Sequence, residues 1–399
     1  MTALVDAGLL ADVQKFGAAD VSACFSCGNC TAICPLSTND GTFPRRLIRY
    51  AQVGMKDALL SSKELWTCYH CGECSDTCPT QADPGGFMAA ARRYAIASYD
   101  RTRIARTMYT SPVLGSVFAI LLAAFFALFM YTSHGPQSAQ SLALFQFIPE
   151  ELIHNTGVAV MVLVFLAGLA GVATMARGIS RREGLSARDV VGSRAALSRS
   201  IRALWVALGI ESLGQRRYRV DCETVQEAQP WHRRRWFIHA ATMWGFLGLL
   251  AATILDYGLA VVGIKATGTP VPIWYPVRLL GTVAGIALIY GTTMLIVDRL
   301  RRSNRSASDS TAADWTLLVL LWVTGITGFL IELAHYLPQA PAWGYWVFLF
   351  HVSVAMELVL LAPFMKFAHA VYRPLALFFF ALAGDKPAEG NAEGNAEAN

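Results

Sequence analysis

Eight cysteines carry the first chemistry that the sequence offers. They form two copies of one pattern, "CFSCGNCTAICP" from Cys24 to Pro35 and "CYHCGECSDTCP" from Cys68 to Pro79. In each copy three thiols spaced by two residues can wrap one iron–sulfur cube. The fourth, three residues on and followed by proline, points away and ligates the other cube. The spacing therefore predicts one [4Fe–4S] cluster on Cys24, Cys27, Cys30 and Cys78, and a second on Cys68, Cys71, Cys74 and Cys34. Zinc is the rival, but it usually takes its four thiolates as two separated pairs rather than a tight run of three with a crossed fourth. The same spacing is poor for a disulfide framework, so a reducing compartment is expected for residues 1–110.

The histidines point to a second cofactor. His351 and His369 are 18 residues apart in a run that reads as one apolar helix. That is five turns, so both imidazoles would face one way, ~27 Å apart along the axis. Ionisable residues within membrane spans are costly and mark function. Two stacked b-haems, each held by two imidazoles, account for the arrangement. His239 is the expected partner of His369 on the cytoplasmic side. On the outer side His154 is preferred to His335 as the partner of His351, because His335 adjoins a very short loop. Capping of helix ends at the membrane interface is the ordinary alternative. Glu332, with His335, is the expected quinone or proton contact. Glu332, Glu357 and Asp256 are all embedded, and the more ordinary role for each is to bond helices together. His70, between cluster ligands, is expected at the surface or as support for a ligand, while His134 and His232 fall in loops without a role.

The elements that must hold these residues are helices. The chain has 399 residues, 54% of them hydrophobic and 15% charged, with a mean hydropathy of +0.41. That is too apolar for an ordinary soluble domain. Six runs, at 111–131, 157–176, 237–259, 277–297, 315–336 and 343–369, are each near or above the ~20 residues a membrane-crossing helix needs. The segment 177–236 holds thirteen arginines, whereas 132–156 has neither lysine nor arginine. Positive charge stays inside, so both termini and the cysteine domain are placed on the cytoplasmic side of an inner membrane. No secretory signal is read in the first 20 residues, which Asp6, Asp12, Lys15 and Asp20 interrupt.

The expected fold is thus mostly α: an α-helical two-cluster domain at 1–110, two spans at 111–176, a basic cytoplasmic segment at 177–236, a four-helix cytochrome b region at 237–380, and a disordered tail from 381. Within the first domain, Pro44 opens a helix ended by Gly54, "KDALL" makes a short turn, and Pro84 opens another helix. Arg45, Arg46, Arg49 and Lys56 either raise a cluster's potential, dock an acidic partner or form a solvated face. Trp274, Tyr275, Trp343 and Tyr345 suit the outer interface.

The stretch from Cys24 to Pro79 resembles the dicluster subunit of heterodisulfide reductases. "PLSTNDGTFPRR" and "ADPGGFMAAARRYAI" bring it nearest the membrane subunit of quinone-interacting membrane-bound oxidoreductases. "WFIHAATMWGFLGLL" and "FLFHVSVAMELVLLAPFMKFAHAVYRPLAL" resemble the gamma, cytochrome b, subunit of respiratory nitrate reductases. The resemblance implies that His351 and His369 ligate different haems, with His239 opposite His369. It places another histidine where this chain has Leu249, so an outer haem takes its second ligand from elsewhere, as His154 could supply. It further implies exchange of electrons between membrane quinone and two cytoplasmic flavin- and iron–sulfur-containing heterodisulfide-reductase-like subunits, serving adenylylsulfate reductase. "GQRRYRVDCE" looks like a family segment, which gives Cys222 some interest.

Other readings stay open. One is a membrane electron-transfer subunit of another heterodisulfide-reductase-like, sulfite-reductase-linked or tricarballylate-type dehydrogenase complex. Another, of a different class, is a cluster-bearing anchor or transporter, although no Gly/Pro-interrupted repeat of spans supports it. No flavin or nucleotide fingerprint is present and no nucleic-acid partner is expected, so a catalytic partner subunit is required.

Overall fold

The computed structural model describes residues 5–37, 43–221, 229–265 and 271–384, all helix, turn or irregular chain. In the cysteine domain, α1 (Arg45–Gln52) follows Pro44 and buries Leu47, Ile48 and Ala51. The chain turns at Gly54 (φ +74°) into the short helix Lys56–Leu60. Helix α2 (Pro84–Tyr99) has proline at its first position, and the Asp83 carboxylate accepts from the Gly86 N–H at 3.2 Å, a side-chain cap.

The long helices follow: α3 (Pro112–Tyr131), α4 (Glu150–Arg182), α5 (Arg194–Trp205), α6 (Arg235–Val261), α7 (Pro276–Arg301), α8 (Ala312–Tyr336), α9 (Ala342–Leu361) and α10 (His369–Gly384). Among the described residues six are long and apolar enough to cross a membrane: α3, α4, α6, α7, α8, and α9 with its extension to Phe364. Only 17–28% of the apolar window is buried in the first four, against 39% in α8 and 50% in α9, so α8 and α9 form the centre of the bundle. The outer faces of α3 and α4 carry exposed Leu114, Ile120, Leu121, Val162, Phe165 and Leu169, a belt that only lipid can solvate cheaply. Helices α6 and α7 pack closest. A Cβ on Gly245 would come within 2.5 Å of the Leu288 nitrogen, which is the small-residue contact of membrane helix pairs.

Three expectations are corrected. The run 343–369 is not one helix. It ends at Leu361, because Pro363 has no N–H to continue the ladder, Met365 is extended (φ −118°, ψ −172°), and a new helix starts at His369. His351 and His369 therefore lie on different helices, and five-turn spacing does not set their directions. Tyr345, expected at the outer interface, faces the protein instead of the lipid headgroups. It is fully buried, its hydroxyl donating to Ser138 O and Ser141 O (3.0 and 3.1 Å) and accepting from the Ala143 N–H. His70 is not at the surface either. It is 7% exposed, and its Nε2 lies 2.8 Å from an Asp309 carboxylate oxygen. The expected tail from 381 overlaps the end of α10, which runs to Gly384, and the rest of it and Cys222 lie outside the described residues.

The basic segment folds largely as helix and serves as a seat. Helix α4 runs on to Arg182, which donates to the Ala58 carbonyl and to the Tyr50 hydroxyl, while Glu183 pairs with Lys63. Helix α10 lies against the cysteine domain rather than continuing the span. Tyr372 packs on Trp66 and Tyr99, with ring centres 5.2 and 5.3 Å apart. One apolar core runs from Leu9 and Phe16 through Trp66 and Tyr99 to Leu361, Phe364 and Ala376, so the domain and the bundle are fused.

A buried ion pair locks that junction. Asp314, at the start of α8, is 2.8 Å from an Arg93 guanidinium nitrogen on α2, and its side chain is wholly inaccessible. Removing one partner of a buried pair strands the other charge and costs ~3–5 kcal/mol. Asp314→Ala is therefore expected to lower the thermal midpoint sharply and to speed proteolysis between the cysteine domain and α3. A variant as stable as the parent protein would show that the pair does not hold the junction.

Candidate redox cofactor site

The two cysteine motifs share one backbone. Each places a residue with positive φ between its first two cysteines (Ser26 at +63°, His70 at +57°) and a glycine with positive φ just after the second (Gly28 at +94°, Gly72 at +102°). Such angles are uncommon for residues other than glycine. Each glycine then opens a short helix, Asn29–Ile33 or Glu73–Asp76, that carries the third cysteine. All eight cysteines are free thiols.

The structure brings Cys34 to the second motif. Cys34 lines one cavity together with Cys68, Cys71 and Cys74, and Phe43 and Met88 close its apolar wall. Burial pushes the free Cys34 thiol up to about 12, and Cys74 and Cys30 upward too. Buried thiols of this kind stay neutral unless a cation balances the thiolate, which suits iron ligation. Among the described residues no three His, Cys, Asp or Glu side chains converge on a single metal-ion position; at Cys34 the thiols surround a wider space. The His70 N–H donates to Cys68 Sγ at 3.3 Å, a contact of the type that tunes cluster potential.

Directly against the second motif sit two imidazoles. The ring centres of His239, near the start of α6, and His369, at the start of α10, are 6.2 Å apart. Two imidazoles that share one metal ion, each nitrogen ~2 Å from it, put their centres roughly 6 Å apart. His369 Nδ1 is 2.5 Å from the Lys366 carbonyl, which can only accept, so the ring's proton lies on Nδ1 and Nε2 keeps its lone pair. Burial lowers the His369 pKa to about 4, so the ring is neutral. His239 Nδ1 is held by the Gln215 amide at 3.0 Å. His369, donating from Nδ1 to a carbonyl, is oriented as metal-bound histidines normally are, and the His239 Nδ1 also faces a side chain of the protein. The residues present fit a bis-imidazole haem.

Side chains that sequence reasoning passed over fill the space between this pair and the second motif. Arg235 lies four residues before His239, and Arg373 four residues after His369. Arg373 donates to the Cys68 carbonyl at 3.3 Å and lies 4.4 Å over the Tyr69 ring, while Arg235 donates to the His70 carbonyl at 3.3 Å. Arg92 also reaches the Cys68 carbonyl, at 2.9 Å. Tyr218 stands between Tyr69 and His239, 5.6 Å from each ring centre. The available signal was the one-turn offset of each arginine from its histidine, which places both on one helix face.

The expected outer group is arranged differently. His351 Nδ1 is 2.8 Å from Thr327 Oγ1 on α8, whose own proton goes to the Val323 carbonyl, so His351 donates from Nδ1 and its Nε2 is left as an acceptor. His154 instead stacks on Tyr257 of α6, centres 5.0 Å apart, and makes no ring contact with His351. Glu332 is 3.5 Å from Arg278 and accepts from Thr282, both on α7, and His335 lies one turn further along α8. Asp256 pairs with Lys265, and Glu357 is buried in α9.

The comparisons with known proteins divide at the same place as the fold. Residues 20–82 match the 4Fe–4S dicluster domain model, and residues 104–392 match the model named citrate utilization protein B. The chain belongs to the citrate utilization protein B family. The citrate utilization protein B of Escherichia coli is 31% identical over 163 residues, 40% of this chain and 41% of that protein. A subunit of the H2:CoB–CoM heterodisulfide, ferredoxin reductase is 37% identical over 54 residues in both Methanothermobacter thermautotrophicus and Methanothermobacter marburgensis, covering 14% of this chain and 29% of theirs. The chain thus spans less than half the length of the curated relatives it matches. No solved structure matches. The region that resembles a nitrate reductase gamma subunit falls within the citrate utilization protein B match. The resemblance of the cysteine domain to heterodisulfide reductase stands at family level, as an iron–sulfur redox role joined to membrane helices.

Proposed function

We propose that this chain is the membrane electron-transfer subunit of a dehydrogenase complex of the citrate utilization type, linking membrane quinone to a soluble partner. The observation that carries the proposal is the His239–His369 pair, 6.2 Å apart with each Nδ1 engaged, set against the cysteine motif. When bound, a b-haem and two [4Fe–4S] clusters supply one-electron carriage that no side chain here provides. His239 and His369 hold the inner haem. Cys24, Cys27, Cys30 and Cys78 hold one cluster, and Cys34, Cys68, Cys71 and Cys74 the other. Arg235, Arg373, Tyr69 and Tyr218 keep water out of the gap between the histidine pair and the second cluster.

His351 is proposed as ligand of a second haem, with its ring fixed by Thr327. His154, stacked on Tyr257, has no geometric support as its partner. The polar group Arg278, Glu332 and His335, at the end of α8 away from the cysteine domain, is proposed as the quinone contact. The arginine asymmetry supports a proposed orientation with both termini and the clusters on the cytoplasmic side of the inner membrane.

The partner proposed is a soluble dehydrogenase of the tricarballylate type, and the citrate utilization in the printed name of the Escherichia coli relative favours a tricarboxylate as its substrate. The match of the cysteine domain to the heterodisulfide reductase relatives favours a second reading, with heterodisulfide-reductase-like partner subunits. The complex isolated with its native partners separates them. Reduction of a quinone analogue on addition of a tricarboxylate is the expected result. Reduction by a dithiol instead moves the assignment to the second reading, and no quinone-linked reduction from any partner substrate ends both.

A further inference from the structure

We propose that Gln215 is a positioning residue for His239: its side-chain oxygen fixes the imidazole with the proton on Nδ1 and thereby sets the potential of the inner haem. The proposal rests on the haem reading above. Gln215 is 4% exposed, an unusual place for an uncharged polar side chain. Its backbone sits in the left-handed region (φ +51°), where residues other than glycine are uncommon. It follows a π-helical stretch, Val206–Leu213, of a kind found often at functional sites. The chain departs from regular helix here, and the departure delivers one amide to His239.

The atoms decide how that amide must face. As oriented, Gln215 Nε2 lies 3.0 Å from His239 Nδ1, and the buried Gln215 Oε1 has no hydrogen-bond partner. A glutamine nitrogen can only donate, so this orientation makes Nδ1 the acceptor and leaves the ring's proton on Nε2, the atom that iron needs free. A half-turn of the amide exchanges its oxygen and nitrogen with little change in shape. It puts Oε1 opposite Nδ1, gives the orphaned oxygen a donor, moves the ring's proton to Nδ1 and releases the imidazole Nε2, at the cost of the weak 3.7 Å bond from the amide nitrogen to Met243 Sδ. His369 obtains the same tautomer from a main-chain carbonyl, Lys366 O. Within the pair, only the His239 side takes its acceptor from a side chain.

The test is a redox titration of the full complex carrying Gln215→Glu or Gln215→Leu, with cluster spectra as the folding control. A carboxylate accepts more strongly, makes the imidazole a better donor to iron and favours the oxidised haem. Glutamate is expected to lower the inner-haem potential by roughly a tenfold change in equilibrium, about 59 mV for one electron. Leucine is expected to raise the potential and weaken haem retention ~10–100-fold, the usual cost of losing such an outer partner. Cluster signals should stay in place in both variants. Shifts in the same direction for Glu and Leu, or no shift with Glu, overturn the proposal; Glu alone decides if the Leu variant fails to assemble. A haem that His239→Ala removes but that neither Gln215 variant perturbs defeats this inference and leaves the haem reading standing. A native complex with no haem lost on His239→Ala defeats both.

Discussion

Replacing His239 or His369 with alanine is expected to remove one and the same b-haem. The two residues are far apart in sequence and on different helices, yet their rings lie 6.2 Å apart with each Nδ1 tied to the protein. Loss of a ligand should exceed the ~10–100-fold affinity cost of losing only an outer-shell partner. Haem content at this site should therefore fall to background, and quinone-linked reduction of the clusters by more than about 100-fold. The readout is the reduced-minus-oxidised spectrum, with acid-labile sulfide unchanged. If the two variants lose different haems, the pair does not share one. If neither loses any, the site holds no haem.

Cys34→Ser is expected to damage the cluster otherwise held by Cys68, Cys71 and Cys74, and Cys78→Ser the one held by Cys24, Cys27 and Cys30. The crossing follows from the cysteine spacing and from the cavity that Cys34 shares with the second motif. Each variant should retain about half of the roughly eight irons of two cubes, and the surviving cluster should keep its own spectrum. The cluster nearest the histidine pair is the one Cys34 completes, so Cys34→Ser should also uncouple cluster reduction from the haem. Loss of the Cys24 cluster in the Cys34 variant would mean that each motif closes on its own cube.

What the sequence made legible was periodic or charged. The cysteine spacing, repeated to the residue, led to two groups of four, and the chain brings Cys34 to one cavity with Cys68, Cys71 and Cys74. Apolar length gave six helices, and proline with glycine marked where α1 and α2 begin and turn. Charge gave depth, and depth matching named His239 and His369, which stand side by side.

What stayed hidden depended on tertiary contact. Pro363 was in plain view, but an apolar run on both sides masked the break, because hydropathy does not register a missing N–H. His70 looked like a surface residue of a polar motif, and only folding brings Asp309, 239 residues away, against it. The Asp309 contact opposes the burial that lowers its pKa to about 4. Gln215 had no pattern at all, since its role depends on a local irregularity of the backbone. His154 was chosen by depth alone, and depth does not fix the face of a helix; its ring meets Tyr257.

The most direct test of a haem held beside the clusters is the count of haem per chain in the unmodified complex, purified anaerobically with its partners and examined by electron paramagnetic resonance. Two b-haems per chain are expected, with a low-spin signature of bis-imidazole ligation for the one held by His239 and His369. One haem per chain with that signature keeps the inner site and removes His351 as a ligand. A complex that carries its full iron–sulfur complement and no haem contradicts the account.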